Sequence, residues 1–335
     1  MKLTINDIAR LAGVSKTTVS RVINNKPDVN SEVRDRINNI IKKNGYHPNA
    51  AAVAIAKQRS HTIAMILPNE FKYVFGNSYY TEVIYTIMHR LEQHVYYLLF
   101  VLPSNERYME IVKQSRVDGF VILTSNLIHI DVIKYLIDNK MPCVSVANME
   151  SFDIPTYEIN NVAAGKLATE YLISKGHHKI AFIGNDQFYS FRNRQKGYQQ
   201  ALNGAKIHYR KDYVINIATS DMKGGFNALR HIIKIKDMPS AVICCNDFTA
   251  QGVIKACADA KLVIPDDISL MSFDNSAANE FLVPRLTTVD QSAVPKAELA
   301  TDMLLSYIEK GIKPMSVELP FLLSEGDSVA SYYAK

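Results

Sequence analysis

Apolar residues open the chain at three- and four-residue spacings: Ile8, Leu11, Val14, Val19, Val22 and Ile23 read as the buried faces of short amphipathic helices. Gly13 stands between the first two helices, where a tight inter-helix turn requires positive φ. Ser15 is placed to cap the second helix, which runs through Lys16, Thr17, Thr18 and Val19. Lys16, Thr17, Ser20 and Arg21 point away from that core. After a turn at Asn25-Lys26-Pro27-Asp28, a third helix is capped by Asn30 or Ser31 and carries the stripe Val33, Ile37, Ile40 and Ile41. It stops at Asn44-Gly45, ahead of Pro48. The pattern predicts an all-α helix-turn-helix head whose second helix lies in a DNA groove.

From Thr62 the pattern changes to short apolar runs alternating with amphipathic helices. Strands are expected at residues 62–68, 96–101, 119–123 and 143–146, with helices at 80–93, 105–115 and 131–139. The alternation then restarts, with helices at 163–174, 192–203, 224–235 and 247–260 and strands at 179–184, 240–245 and 269–273. Continuous apolar strands separated by helices imply parallel sheets covered on both faces. The fold class is therefore a helix-turn-helix head plus an α/β body of two doubly wound lobes. Its divisions are residues 1–46 for the head, 47–60 for a hinge or linker and 61–335 for the body. The first lobe takes about 61–159 and 291–318, the second about 160–290 and 319–335. Such lobes bind small molecules where strand C-terminal ends face each other across a crevice. Polar residues stand at those ends: Asn246 and Asp247, Asp274 and Asn275, and Arg194 just inside a helix. An Asp or Asn after a strand also serves as a helix cap or turn former, and both readings stay open at each position.

Charge separates a DNA-binding head from a generic helical module. Residues 1–60 hold 11 Lys and Arg against 4 Asp and Glu, a net of +7, in a chain whose total is +5. The remaining residues carry 27 basic against 29 acidic groups, a net of −2, so the cationic surplus is confined to the head. Neutralising phosphates with such residues releases counterions and supplies sequence-independent DNA affinity. An apolar content of 47% over 335 residues supports a full core. No apolar run approaches the roughly 20 residues that span a bilayer. Met1-Lys2-Leu3-Thr4-Ile5-Asn6 lacks the apolar region of a signal peptide, so a cytoplasmic protein is expected. Cys143, Cys244, Cys245 and Cys257 have no metal or disulfide spacing and are expected as buried thiols. The 9 histidines, His177-His178 included, form no zinc motif, and no metal or cofactor is expected. With no nucleophile elbow, phosphate loop or dinucleotide fingerprint, the body reads as a sensor and not as an enzyme.

The segment Thr4 to Asn24, T-I-x-D-I-A-x-x-A-G-V-S-x-x-T-V-S-R-V-I-N in pattern, resembles the lactose-repressor (LacI/GalR) family of bacterial transcription regulators. So do Gly45-Tyr46-His47-Pro48-Asn49-Ala50, Arg116-Val117-Asp118-Gly119-Phe120, the run from Gly176 to Gly184, Cys245-Asn246-Asp247, Ser272-Phe273-Asp274-Asn275 and the run from Leu286 to Gln291. The resemblance extends over nearly the whole chain. It implies a body like type I periplasmic binding proteins and a homodimer on a near-palindromic double-stranded operator, with no membrane partner. Lys16 and Thr17 would read bases, with Arg21 as a further base contact, while Thr4, Ser15, Thr18, Ser20 and Asn24 would set register on phosphates. Residues 49–57 resemble the family's hinge helix, with Asn49 in the DNA-binding set and Ile55 as the minor-groove wedge. Val53 stands where an Arg is usual, and Lys57 or Arg59 would substitute for it.

In the body, the resemblance assigns Arg194, Asn246 and Asp274 to effector binding, with Tyr79, Tyr80 and Gln291 lining the crevice. Asn160 stands where an Asp is common, and Ala147 where another acidic residue often meets sugar. These groups suit a sugar-like effector, and residues 76–80 and 192–198 look most like the maltose-responsive members. The expected function is an effector-gated repressor of carbohydrate uptake or use. Two alternatives stay open, a global regulator that docks a protein corepressor and a regulator of a purine or other non-sugar metabolite; the basic head and the N-terminus without a signal-peptide pattern argue against a binding protein that only senses sugar.

Overall fold

The computed structural model describes residues 3–47, 59–68, 71–101, 108–113, 117–124, 130–147, 149 and 152–333. The hinge segment 49–57 with Asn49, Val53, Ile55 and Lys57, and also Pro48 and Arg116, lies outside the described residues. The chain divides into two compact units, Met1–His61 and Thr62–Lys335.

The first unit is built from α1 (Ile5–Ala12), α2 (Lys16–Ile23) and α3 (Ser31–Lys43). Thr4 and Asp7 close a reciprocal capping box: the Asp7 carboxylate accepts from the Thr4 backbone N–H at 2.9 Å, and the Thr4 hydroxyl accepts from Asp7 N–H. Gly13 ends α1 at φ 61°, a left-handed conformation with no Cβ cost. The Ser15 hydroxyl accepts from Thr18 N–H at 3.1 Å, and the Asn30 side chain accepts from Glu32 N–H at 2.8 Å. Ile8, Ala9, Ala12, Val19, Val22 and Ile37 make the core, with Tyr46 closing it. Leu11 departs from expectation and is 54% exposed. Ile8 and Ala12, one turn apart, form the inward stripe of α1, and Leu11 lies about 100° round the helix from Ala12.

The second unit opens with β1 (Thr62–Ile66), α4 (Phe71–Gly76), α5 (Ser78–Gln93), β2 (Tyr97–Val101), α6 (Tyr108–Lys113), β3 (Gly119–Ile122), α7 (Ile130–Asp138) and β4 (Cys143–Ser145). Its four strands form a parallel sheet in the order β2-β1-β3-β4. β5 (Tyr157–Ile159) then leads into α8 (Asn161–Ser174), β6 (Ile180–Gly184), α9 (Tyr189–Gly204), β7 (Val214–Asn216), α10 (Met222–Ile232), β8 (Ala241–Cys244), α11 (Asp247–Asp259), β9 (Ser269–Asp274) and β10 (Thr287–Asp290). The chain returns to the first sheet as α12 (Ala293–Lys310), packed on α5, β3 and β4. β11 (Val317–Leu319) pairs with β5, and β12 (Leu322–Ser324) adds an antiparallel edge beside β10. The second sheet runs β12-β10-β9-β8-β6-β7.

Side chains alternate between two apolar clusters on each sheet: Ile63 and Met65 face one and Ala64 and Ile66 the other, as do Ile183 and Cys244 against Phe182 and Ile243. The expectation of complete cover fails at the start of the edge strand β2, where Tyr97 is 73% exposed, while Val101 at its end is buried beside α6. Helix starts also move. α8 begins two residues before its expected start because Asn160 caps it; α9 begins at Tyr189, and Asp221 caps α10. The periodicity did not reveal α4, α12 or the short strands β5, β7, β10, β11 and β12.

Both sheets reverse their strand order beside the first strand of the lobe, with β1 between β2 and β3, and β6 between β7 and β8. A crevice forms at such a switch point, beyond the C-terminal strand ends, because successive helices leave in opposite directions.

Candidate functional site

In the first unit, the caps at Thr4 and Ser15 fix α1 and α2 on either side of Gly13. Lys16, Thr17 and Arg21 project from the exposed side of α2, with Thr18 and Ser20 half-buried beside them. The Ser15 and Thr18 hydroxyls lie 2.9 Å apart, and the Asn24 amide donates to the Ser20 carbonyl at 2.8 Å. Arg21 pairs with Asp28 at 3.1 Å, each side chain more than half exposed. An exposed ion pair of this kind stabilises by about 1 kcal/mol or less. Little energy is therefore needed to free the guanidinium from this pair.

In the second unit, the crevice lies over the two switch points. From the first lobe, α4 and the start of α5 bring Tyr73, Asn77, Tyr79 and Tyr80; Ala147 and Glu158 complete that side. From the second lobe come Phe191 and Arg194 on α9, Asn246 after β8 and Asp274 at the end of β9, with Gln291 after β10. Tyr79, Tyr80, Arg194, Asn246, Asp274 and Gln291 are thus gathered at one place from five separate stretches of chain. Asn160 is not. Its carbonyl oxygen caps α8 at 3.0 Å from Ala163 N, and its amide reaches Glu318 at 3.4 Å. The enclosed space is about 40 Å³.

Arg194 is 1% exposed and held on several sides. Its Nε donates to Asn161 Oδ1 at 2.9 Å, Nη1 donates to the Cys245 carbonyl, and the guanidinium lies 4.4 Å from the Phe273 ring centroid. Asn246 caps α11 through its carbonyl oxygen, 2.8 Å from Thr249 N, so its amide is free to donate to Tyr73 Oη at 3.3 Å and the Ser220 carbonyl at 3.2 Å. Cap and cleft residue are the same side chain here. The Tyr73 contact joins the two lobes, and Phe248 of α11 packs into the first lobe's core.

Two buried carboxylates stand side by side with different fates. Asp247 accepts from Ser272 Oγ, Ser276 N, Ser276 Oγ and Thr288 Oγ1. Burial raises its pKa while those donors pull it back. Among the described residues the Asp274 carboxylate accepts from the Gln291 amide alone. Burial, then the charge of Asp247, hold its pKa well above the usual carboxylate range, and Arg194 opposes them. Its backbone sits at φ 120°, a strained conformation for a residue with a side chain.

Sequence reasoning missed the opposite wall. Lys296 of α12 is fully buried; its Nζ lies 2.6 Å from Glu158 Oε1 and 3.0 Å from Tyr79 Oη. Burial pushes the Lys296 pKa down, but the charge of Glu158 and the Tyr79 contact carry it up overall. Asn77, 2% exposed, accepts from Tyr79 N–H through Oδ1 at 3.0 Å, and its Nδ2 has no hydrogen-bond partner among the described residues. The four cysteines are free and buried, and burial pushes the Cys245 thiol up to about 11. Among the described residues no cluster is placed to hold a metal, and no helix is long and apolar enough to cross a membrane.

Two family models match the chain: bacterial regulatory proteins, lacI family, over residues 4–49, and periplasmic binding protein-like domain over residues 169–329. The chain is 31% identical over 312 residues to the probable HTH-type transcriptional repressor ExuR of Bacillus subtilis (strain 168), covering 92% of each. It is 30% identical over 337 residues to the ribose operon repressor of Escherichia coli (strain K12), covering 97% of this chain and 99% of that one. Among solved structures, the lac repressor dimer bound to operator and the anti-inducer ONPF superposes with a TM-score of 0.86 at 22% identity, over 98% of this chain and 100% of that one. The CelR–cellobiose complex superposes at 0.73 and 23% identity, with the same coverage. These two likenesses establish the architecture: a helix-turn-helix head and a body of periplasmic-binding-protein type.

Proposed function

The chain belongs to the lacI family of bacterial regulatory proteins, DNA-binding transcriptional repressors and not enzymes, and from that premise we propose that it represses carbohydrate uptake or metabolism genes under control of a sugar bound in the inter-lobe cleft. The observation that carries this reading is the convergence of Arg194, Asn246, Asp274 and Gln291 with three tyrosines. Ring faces of Tyr73, Tyr79 and Tyr80 suit the apolar faces of a sugar, and the polar groups offer donors and acceptors to its hydroxyls. Two similar proteins point the same way by their names, the ribose operon repressor and CelR with cellobiose. Maltose or a maltodextrin is the first effector to test, because residues 76–80 and 192–198 look like maltose-responsive members.

The head reads the operator through Lys16, Thr17 and Arg21, with Thr4, Ser15, Thr18, Ser20 and Asn24 on phosphates. Exposed apolar side chains at Tyr85, Met88, Tyr97 and Leu99, and at Phe281 and Val283, support a homodimer, since contiguous exposed apolar surface marks protein–protein contact. A two-fold dimer matches a near-palindromic site. Gating is a population shift: a ligand that prefers one angle between the lobes biases the dimer toward or away from DNA.

Selection from random duplexes by the full chain, with and without ribose, glucose, galactose, maltose and cellobiose, tests the reading. A near-palindromic consensus is expected, with retention altered by at least one sugar. Lys16→Ala or Thr17→Ala should change the consensus, whereas Thr4→Ala should weaken all sequences alike. Absence of any sequence preference would sink the operator reading; indifference to every sugar would sink the effector reading.

A further inference from the structure

A fully buried lysine demands an explanation, because an uncompensated ammonium in a protein interior is too costly to persist. Lys296 is compensated by one oxygen of Glu158, Oε1, which also accepts from the backbone N–H of Ile159 at 2.8 Å. The other oxygen, Oε2, has no hydrogen-bond partner among the described residues, and Glu158 lines the cleft. The carboxylate is therefore held at Oε1, while Oε2 belongs to a side chain that lines the cleft and is not engaged by any described residue. Nearby on the same wall, the buried Asn77 offers an unpartnered donor in Nδ2. One wall thus presents to the cleft an acceptor, Oε2, that no described residue engages and a buried donor, Asn77 Nδ2, without a partner among the described residues, and a hydroxyl group both donates and accepts.

We propose that Glu158, with Lys296 as its buried counter-ion, is a specificity-determining residue of the cleft: Oε2 accepts a hydrogen bond from one ligand hydroxyl, and Asn77 Nδ2 donates to the same part of the ligand. This rests on the effector reading above and names the chemistry that the first-lobe wall selects. The wall takes a polyhydroxylated ligand that turns a hydroxyl toward it and rejects one that turns an anionic group there. Like charge against Glu158 would be buried without relief. Ala147 on the same wall contributes no polar side chain, so the discrimination falls to Glu158.

The test uses the full chain and calorimetric titration with ribose, glucose, galactose, maltose and cellobiose, then the series of monodeoxy analogues of the sugar that binds. Removing the one hydroxyl that Glu158 reads should weaken binding to wild type on the order of tenfold or more, as expected for a hydrogen bond to a charged group. In Glu158→Gln, that same deoxy penalty should fall several-fold while the penalties at other positions stay. Should Glu158→Gln strand Lys296 and fail to fold, the double variant Glu158→Gln/Lys296→Met removes both charges together and carries the same expectation. A binding sugar whose deoxy penalties are unchanged in these variants overturns the assignment and leaves the effector reading standing. If no sugar binds wild type, both fall together.

Discussion

Arg194 owes its position to a glycine on another helix. α8 and α9 cross so closely that a Cβ built on Gly165 would lie 2.1 Å from the Arg194 carbonyl oxygen, and one on Gly197 would lie 2.0 Å from the Val162 carbonyl oxygen. Relaxing the first contact to an ordinary carbon–oxygen distance of about 3.3 Å requires the helices to part by about 1.2 Å. The Arg194–Asn161 bond, now 2.9 Å and bridging these same two helices, would then be stretched beyond hydrogen-bonding range. Gly165→Ala should therefore act on stability and on the cleft at once. Overpacking of this kind costs roughly 1–3 kcal/mol, which for a body of this size corresponds to a melting temperature lower by roughly 2 to 12 °C. Binding of the effector sugar should weaken by about tenfold or more, since a guanidinium displaced by 1 Å loses a good part of its directed bonds. Gly204→Ala is the matched control. Nothing lies within 4 Å of a Cβ there, so the exchange should be neutral or stabilising by about 0.5–1 kcal/mol through helix propensity. Differential scanning calorimetry and sugar titration of both variants decide the matter. A Gly165→Ala protein that melts within about 1 °C of wild type and binds sugar as tightly would refute the claim that this crossing positions Arg194.

Two further outcomes follow from the ionisable groups. The Thr4 backbone N–H, then its hydroxyl, hold the Asp7 carboxyl below its usual value of 3.8. A lowered folded pKa means that the capping contribution is fully present above 3.8 and is lost as pH falls through the lowered value. Acid titration of operator-head unfolding should show this loss in wild type and not in Asp7→Asn, and an identical acid profile in the two would count against the capping box. Asp274 has the opposite sign: its raised folded pKa makes stability fall as pH climbs from 3.8 toward the raised value. Urea midpoints of Asp274→Asn should rise relative to wild type over that window while sugar affinity drops, and a difference that is flat with pH would contradict the assignment of burial as its cause.

The head was legible because its signals are local. A cap, a positive-φ glycine and apolar spacings of three and four all lie within one or two helical turns, and Ser15, Asn30 and Gly13 do what the spacing predicts. The body's alternation and its strand-end polar residues were legible for the same reason. Asn246 shows that the two readings of such a residue need not compete, because one amide group caps α11 with its oxygen and reaches the cleft with its nitrogen. The long helix α12 went unread, with Pro295 inside its first turn where proline is tolerated although it reads as a breaker. With that helix unread, Lys296 could not be seen as a lysine in line with Ala300 and Leu304 at four-residue spacing, which is the one sequence signal of a buried ammonium. Its partner Glu158 lies 138 residues away on a three-residue strand too short for any period to declare itself. Glycines 165 and 197 read as weak helix positions, and only the crossing explains them.

The cleft is also where the chain departs most from the rules that hold elsewhere. Asp247 is met by four donor contacts, whereas among the described residues its neighbour Asp274 has one, sits on a strained backbone and has its pKa raised further than that of Asp247; Asn77 leaves a buried amide nitrogen unbonded by any described residue. Each of these features costs folding energy and would be relieved by a ligand that donates to Asp274 and accepts from Asn77. The Asn246–Tyr73 bond spans the lobes across this cleft. Under the effector reading proposed above, a sugar that bonds Asn246 and stacks on Tyr73 competes with this bond between the lobes. Binding and lobe angle are then linked: the bonds that a sugar forms in the cleft, less those that break between the lobes, set its differential affinity for the two states. That difference is the most the effector can pass on to the operator.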